Sequence, residues 1–464
     1  MKPTARELPP PSGLGTLGLG MKVASASRID RDRAACPSWA GLLAASLLGL
    51  SLAAATAQSP AVTPARWWRG NLHTHTLWSD GTDYPEMVVD WYKTNGYHFL
   101  ALSDHNALQQ GTKWLTIGTE KGEQLVQRYV QRFGARWVEQ QLAADYHKVR
   151  LKTLPEFRRL FEQPGRFLLI QSEEITDYFT NEIGKAHVHV NATNLRTLIR
   201  PPGGRSVLDM LQRTVNAVLA QRHWTGQPMF PHVAHPNFGW SLTAEDLMPL
   251  QGERFFEIYN GHPAVHNQGD GLHPGIDRLW DIALTFRLAQ LRLGPLFGLA
   301  VDDAHQFHNY SRSNSNPGRG WVMVRAPHLT ADGIIRALEA GDFYASTGVK
   351  LRDVQRGARQ LSLMIEPEPG VTYTSQFIGT RWGFDATSEP SPPPPGGGLP
   401  ISRRYSEDIG VVLAEVGGTT PSYTVRGDEI YVRAKVISSK TKAGAVSARE
   451  KEMAWIQPLI PAAR

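Results

Sequence analysis

Histidines and carboxylates in this 464-residue sequence fall into short, paired groups. Asn71-Leu72-His73-Thr74-His75 places two imidazoles at i and i+2, where side chains of an extended segment share one face, so both rings reach one ion. Asp80-Gly81 adds a carboxylate at a turn just downstream. Ser103-Asp104-His105-Asn106, Ser172-Glu173-Glu174-Ile175-Thr176, His187-Val188-His189, His232-Val233-Ala234-His235 and Asp302-Asp303-Ala304-His305 repeat the theme. A lone histidine is ordinarily structural. A series in which each one stands beside a carboxylate or a second histidine reads as a set of metal donors. Nitrogen and oxygen donors suit Zn, Mn or Fe better than Mg or Ca. There are more donors than one ion takes, so we expect two or three divalent transition-metal ions. The one cysteine, Cys36, precedes every group, and no Gly-x-Ser-x-Gly elbow is present. The chemistry expected is therefore hydrolysis by a metal-bound hydroxide, without a side-chain nucleophile.

Short apolar strands must carry these groups. They are expected at 67–72, 98–102, 167–170, 188–190, 229–233, 255–259 and 296–301. Helices are expected at 85–94, 207–220, 277–292 and 330–340, where apolar residues recur at helical spacing. Alternating strands and helices predict an α/β fold with a parallel barrel, and each donor group falls at the C-terminal end of a strand, where such barrels build their sites. Residues 113–163 interrupt the alternation. Leu125, Tyr129, Phe133, Trp137 and Leu142 recur at near-helical spacing there, which predicts a helical insertion, placed over the strand ends or against the barrel side. From 349 to 464 the pattern changes to period two, as in Ile430, Val432, Ala434 and Val436, and predicts a small β-rich C-terminal domain. Residues 388–400, rich in Pro and Gly, form a loop within it.

The first segment reads as an address. Residues 39–57 are uncharged and apolar, Arg28, Arg31 and Arg33 precede them, and Ala55-Thr56-Ala57 fits a small-residue cleavage site. We expect residues 1–57 to be a secretory signal peptide, the mature chain to begin near Gln58, and the hydrolase to occupy 58–348. Met21 is an alternative start. The protein is then secreted or periplasmic, without a stable membrane anchor after cleavage. Hydrophobic residues make up 41% and charged residues 20%, a globular balance. The net charge of +6 is spread out, with no basic block to bind nucleic acid. The expected partner is a small-molecule substrate.

In this order, NLHTHTLWSDG, ALSDHN, EEIT, HVNA, AHPNF and DDAH resemble the motifs of the polymerase and histidinol phosphatase (PHP) superfamily of metal-dependent phosphoesterases, over about residues 68–350. The resemblance implies a distorted (β/α)7 barrel with a trinuclear site. Carried over residue by residue, it implies the ligands His73, His75, Asp80, His105, Glu174, His189, His235, Asp303 and His305. It prefers Glu174 over Glu173 and His189 over His187, makes Glu174 a bridge between two ions, and has Asp104 orient a ligand from behind. His232 would neighbour the site, His262 and His266 would line it, and Asp302 would support it or cap its strand. His98, His147, His223 and His328 are read as ordinary. Arg278, Arg312 and Arg319 are candidates for binding phosphate. The reading is a phosphoesterase. The alternatives are a carbamate or amide hydrolase on the same site, and a non-catalytic metal- or carbohydrate-binding protein.

Overall fold

The computed structural model describes residues 64–462. The segment read as a signal peptide lies outside the described residues. The chain after it is organised by one mixed sheet of thirteen strands. From one edge to the other these are Phe297–Val301, Phe255–Asn260, Phe230–Val233, Lys185–Thr193, Leu168–Thr180, Phe99–Leu102, Arg66–Asn71, Trp321–Ala326, Phe343–Ser346, Lys451–Leu459, Glu429–Thr441, Tyr373–Arg381 and Val411–Gly417. Phe99–Leu102, Phe230–Val233, Phe255–Asn260 and Phe297–Val301 are buried at every position. Runs with both faces covered are apolar throughout, as these largely are.

Helices cover the sheet where the spacing predicts them. Pro85–Thr94 starts on proline, carries Glu86 in its first turn and Lys93 in its last, and buries Val88, Val89 and Tyr92. Val207–Thr225 is capped by the Ser206 side chain and closed by Gly226 in a left-handed conformation, φ 66°. Ile276–Ala289 is buried over most of its length.

The structure corrects three expectations. First, the strands do not close into a barrel. Arg66–Asn71 pairs with Phe99–Leu102 on one side and with antiparallel Trp321–Ala326 on the other. Both its edges are taken, so Phe297–Val301 has no free ladder to join. The two segments' backbones bond beyond the strand ends, through the bridge of Thr74 with Ala304 and the bonds from Asp303 N to His73 O and from His75 N to Ala304 O, both 3.0 Å. Second, the sheet is not all parallel. Lys185–Thr193 runs antiparallel to both neighbours, because residues 181–184 turn the chain straight back as a hairpin. Glu173, Glu174, His187 and His189 therefore sit inside strands and not at their C-terminal ends. Third, the insertion is only partly helical. Glu120–Phe133 and Leu154–Phe161 are helices, but Gly134 stops the first, and Lys113–Ile117, Gln140–Leu142 and His147–Leu151 form a three-stranded sheet. Trp114, Thr116 and Ile117, like Val149, suit a pleated surface better than a helix.

The C-terminal strands continue the large sheet through Phe343–Ser346. Residues 349–464 also hold a small sheet of Leu351–Arg356, Gln360–Ile365 and Ser422–Thr424. Buried Arg433 joins this region to helix Ile276–Ala289, bonding both carboxylate oxygens of Asp281 at 2.7 and 2.6 Å.

Candidate metal centre

The first strand ends at Asn71, and the two histidines that follow turn inward together. His73 Nε2 lies 3.1 Å from His75 Nε2. Asp303 Oδ1 stands 3.3 Å from the first and 3.1 Å from the second. Glu174 reaches the same point from mid-strand, its Oε2 3.3 Å from His73 Nε2 and 3.4 Å from His75 Nε2. His189 Nδ1 and His235 Nε2 approach the other oxygen of Glu174 at 3.0 and 3.1 Å. His105 Nδ1 stands 2.8 Å from Glu174 Oε2. Asp80 faces His305 Nε2 at 3.4 Å, His105 Nε2 at 3.6 Å and His75 Nδ1 at 3.7 Å. All the residues implied as ligands thus converge in overlapping groups whose donor atoms lie within 4.8 Å of one another. Glu174 belongs to two of these groups, a position suited to a bridge.

Three of the turns that aim these side chains are conformationally costly. Asn106, His235 and Asp303 have φ of 48°, 22° and 49°, a region that non-glycine residues seldom occupy. Such geometry persists where the surroundings over-determine it.

The donor set suits divalent cations. His189 Nε2 is buried with no hydrogen-bond partner, and Glu174 Oε2 is approached by imidazole nitrogens alone. Leaving a buried ring nitrogen unsatisfied is costly unless a ligand takes it. The electrostatics agree. Burial opposes charge on His73, but Asp303, Glu174 and Glu257 outweigh it and raise its pKa well above the ordinary value. Burial, with His305 and His105 adding to it, lowers His75 to about 3 and keeps that ring neutral. Burial opposes ionisation of Glu174 and Asp303 too, yet the surrounding imidazoles hold both well below the carboxylate range. The pocket therefore holds its carboxylates ionised and the His75 ring neutral while favouring positive charge at His73, and a divalent cation there would take the place of that proton.

The open choices separate cleanly. Glu173 points away and accepts from Ile199 N at 3.0 Å, while burial raises its pKa to about 8. His187 lies on the cavity wall, edge-on to Tyr178 and Phe238, and joins none of the donor groups. Asp104 touches no imidazole. It accepts from Thr76 N and Ser79 Oγ, both at 2.7 Å, and from Thr76 Oγ1 and Gln109 Nε2 at 2.9 and 2.6 Å, and so pins the turn between His75 and Asp80. Asp302 holds the 318–320 backbone, accepting from Gly318, Arg319 and Gly320 N.

Two residues matter more than their sequence setting suggests. Glu257 sits in the apolar strand Phe255–Asn260. Its Oε1 lies 2.7 Å from His73 Nδ1 and 3.2 Å from His232 Nε2, and its Oε2 accepts from His235 N at 2.7 Å and Asn260 Nδ2 at 2.8 Å. A carboxylate behind a ligating imidazole fixes the tautomer and aims the far nitrogen. The readable signal is an ionisable residue in a buried apolar run, which requires a partner. His232, beside it, completes a further group with His73 and Glu257.

A cavity of about 920 Å³ opens above the cluster. Asp80, His105, His189, His235, Asp303 and His305 face it. Tyr178, His187, Phe238 and His262 form an aromatic wall, and Gln306, Arg312, Ser313, Asn314 and Ser315 a polar one. His266 does not line it and stacks on Trp240, with ring centroids 4.3 Å apart. Of the arginine candidates only Arg312 reaches the cavity. Arg278 is spent on the backbone of Tyr405, Ser406 and Ile409, and Arg319 on that of Gly261, Ser311 and Gly444. No residue of the 113–163 insertion lines the cavity. That segment packs on helix Pro85–Thr94, where Glu86 Oε1 accepts from Tyr129 OH at 2.7 Å and Trp137 Nε1 at 2.9 Å.

No family model matches the sequence, and no curated protein matches it. Among solved structures the chain is similar to a two-domain protein from Bacteroides vulgatus that contains a predicted PHP-like metal-dependent phosphoesterase. The identity is 15% and the TM-score 0.36, over 86% of this chain and 97% of that one.

Proposed function

We propose that this protein is an exported, metal-dependent hydrolase that cleaves phosphoesters. The observation that carries the reading is the convergence of His73, His75, Glu174 and Asp303 around one buried point, with Asp80, His105, His189, His235 and His305 around it. Two or three divalent ions there would supply Lewis acidity toward phosphoryl oxygens and bring the pKa of a water toward about 7.

The chain's own residues set the geometry. Glu257 keeps the Nδ1 proton on His73 and directs Nε2 inward. Asp104 fixes the Thr76–Ser79 turn and with it the approach of Asp80, whose side chain is 58% exposed at the mouth. Arg312, among the described residues the one Lys or Arg lining the cavity, would hold an anionic oxygen of the substrate. Ser315 is no nucleophile in waiting, because its hydroxyl donates to the Asp303 carbonyl. Export is proposed on the uncharged 39–57 run and Ala55-Thr56-Ala57. No described helix is long and apolar enough to cross a membrane.

The test is a screen of purified protein, loaded with Mn or Zn, against phosphomonoesters, phosphodiesters, carbamates and amides. Phosphoester cleavage that disappears with a chelator and returns with metal is expected. Cleavage of a carbamate or amide alone would keep the site and overturn the substrate class. No turnover of any class would contradict the enzymatic reading.

A further inference from the structure

We propose that the groove beyond Pro263 and Val446 is a second subsite, which receives an anionic, partly apolar group of the substrate; this rests on the hydrolase reading above. Pro263 and Val446 line both the metal cavity and a neighbouring groove of about 510 Å³, so the two spaces adjoin across that pair. Apolar Val265, Ile437 and Met453 line the groove. Its charged lining residues are Lys435, Arg449, Lys451 and Glu450.

Partners decide which of these charges are free. Lys435 donates to Asp277 Oδ2 at 2.6 Å. Glu450 is engaged by buried Lys442 at 3.1 Å. Arg449 is exposed, and Lys451 donates only to Ser439 O at 2.7 Å and Thr441 Oγ1 at 3.5 Å. Among the described residues neither has a carboxylate at ion-pair distance. Two cations without a paired carboxylate therefore share the groove with Val265, Ile437 and Met453 and with polar His266, Asn267, Gln268 and Ser447, next to a cavity whose own cation is Arg312. An apolar group carrying a sulfonate, carboxylate or phosphate matches that arrangement, since its body covers the floor and its anion meets the cations.

The groove lies between loop 263–269, which follows strand Phe255–Asn260, and the C-terminal strands with their connection at 446–450, and none of its residues belongs to the metal cluster. Segment 441–450 connects strand Glu429–Thr441 to Lys451–Leu459. It is clamped by Lys442, which donates to Tyr259 OH, and by Arg319 Nε, which donates to Gly444 O at 2.9 Å. These clamps attach it to strand Phe255–Asn260 and to Arg319, whose backbone Asp302 holds, so Val446 has a defined place between the two spaces.

The experiment uses 8-anilinonaphthalene-1-sulfonate as probe, a ring system with a sulfonate that binds metals poorly. Fluorescence titration of the metal-free and metal-loaded full chain should give the same affinity. The pair Arg449→Glu and Lys451→Glu should weaken it at least about tenfold, and the matched pair Arg200→Glu and Arg205→Glu, exposed elsewhere, should leave it within about twofold. Circular dichroism confirms that each variant is folded. Equal affinity in both pairs would overturn the subsite. With substrates, the groove pair should raise KM for a sulfonated naphthyl phosphate by about tenfold at unchanged kcat, and leave KM for 4-nitrophenyl phosphate alone. Equal KM shifts on both esters would also overturn it. If probe binding follows the groove charges but metal-loaded wild type cleaves neither ester, the groove stands and the phosphoesterase reading fails.

Discussion

Replacing Glu257 by Gln changes one atom in a buried carboxylate that meets four groups. The acceptor toward His73 and His232 is Oε1, at 2.7 and 3.2 Å, and the acceptor toward His235 N and Asn260 Nδ2 is Oε2, at 2.7 and 2.8 Å. Glutamine fills the space but offers one acceptor oxygen. If its NH2 faces His73, Nδ1 must accept, the ring proton moves to Nε2, and that nitrogen loses the lone pair aimed at Glu174 and Asp303. If its NH2 faces His235 N, two donors meet in a buried site. Either way one ligand is misdirected. Loss of such a supporting carboxylate typically lowers metal affinity about 10- to 100-fold. That is about 1.4–2.8 kcal/mol. Competition for Zn against a fluorescent chelator measures it, and thermal melts followed by circular dichroism separate it from unfolding. A folded Glu257→Gln protein with wild-type affinity within about twofold would refute the role given to Glu257.

Glu253 is fully buried, accepts from Arg254 N at 2.8 Å and Phe255 N at 2.7 Å, and burial raises its pKa from 4.5 to about 8. The native state then holds a proton between those values that the unfolded chain releases, so this stability is present below about pH 4.5 and is lost as pH rises through 8. Glu253→Gln should raise the unfolding free energy from urea titration relative to wild type, progressively from pH 5 to pH 8 and level above that, by on the order of 2–4 kcal/mol at the plateau; a difference that does not vary with pH would contradict this. Asp281→Ala leaves Arg433, 1% exposed, without its two-oxygen partner, and should cost about 3 kcal/mol while the folded fraction keeps its metal; an unchanged melting temperature would contradict it. Tyr129→Phe takes a donor from buried Glu86 and should cost about 1–2 kcal/mol with KM unchanged, since the insertion does not line the cavity; an altered KM would place the insertion at the substrate.

Much of the site was legible because its donors follow local rules. His73 and His75 share a face by the period of two, and strands such as Phe99–Leu102 announce themselves as short apolar runs. Helix Pro85–Thr94 was readable to both ends from its proline and the glycine beyond it. What escaped depended on pairing at a distance. The turn at 181–184 makes Lys185–Thr193 antiparallel, and nothing local to His189 tells on which side of the cluster it arrives. Whether the strands close was decided by Trp321–Ala326, which occupies an edge of Arg66–Asn71 from more than two hundred residues away. Trp137 and Leu142 continued a helical spacing that Gly134 had already ended. Glu257 was hidden by its own surroundings, because a single Glu within FFEIYN looks like an interruption of a strand until its partners are seen.

The most direct test of the centre is the metal-to-protein ratio of purified full-length chain, by elemental analysis, in wild type, Glu173→Gln and Glu174→Gln. Glu174 is shared by two donor groups and Glu173 by none. Two or three transition-metal ions per chain are expected in wild type, the same number in Glu173→Gln, and at least one fewer in folded Glu174→Gln. Equal content in the two variants, or a wild-type protein that holds no metal after loading, would contradict the account.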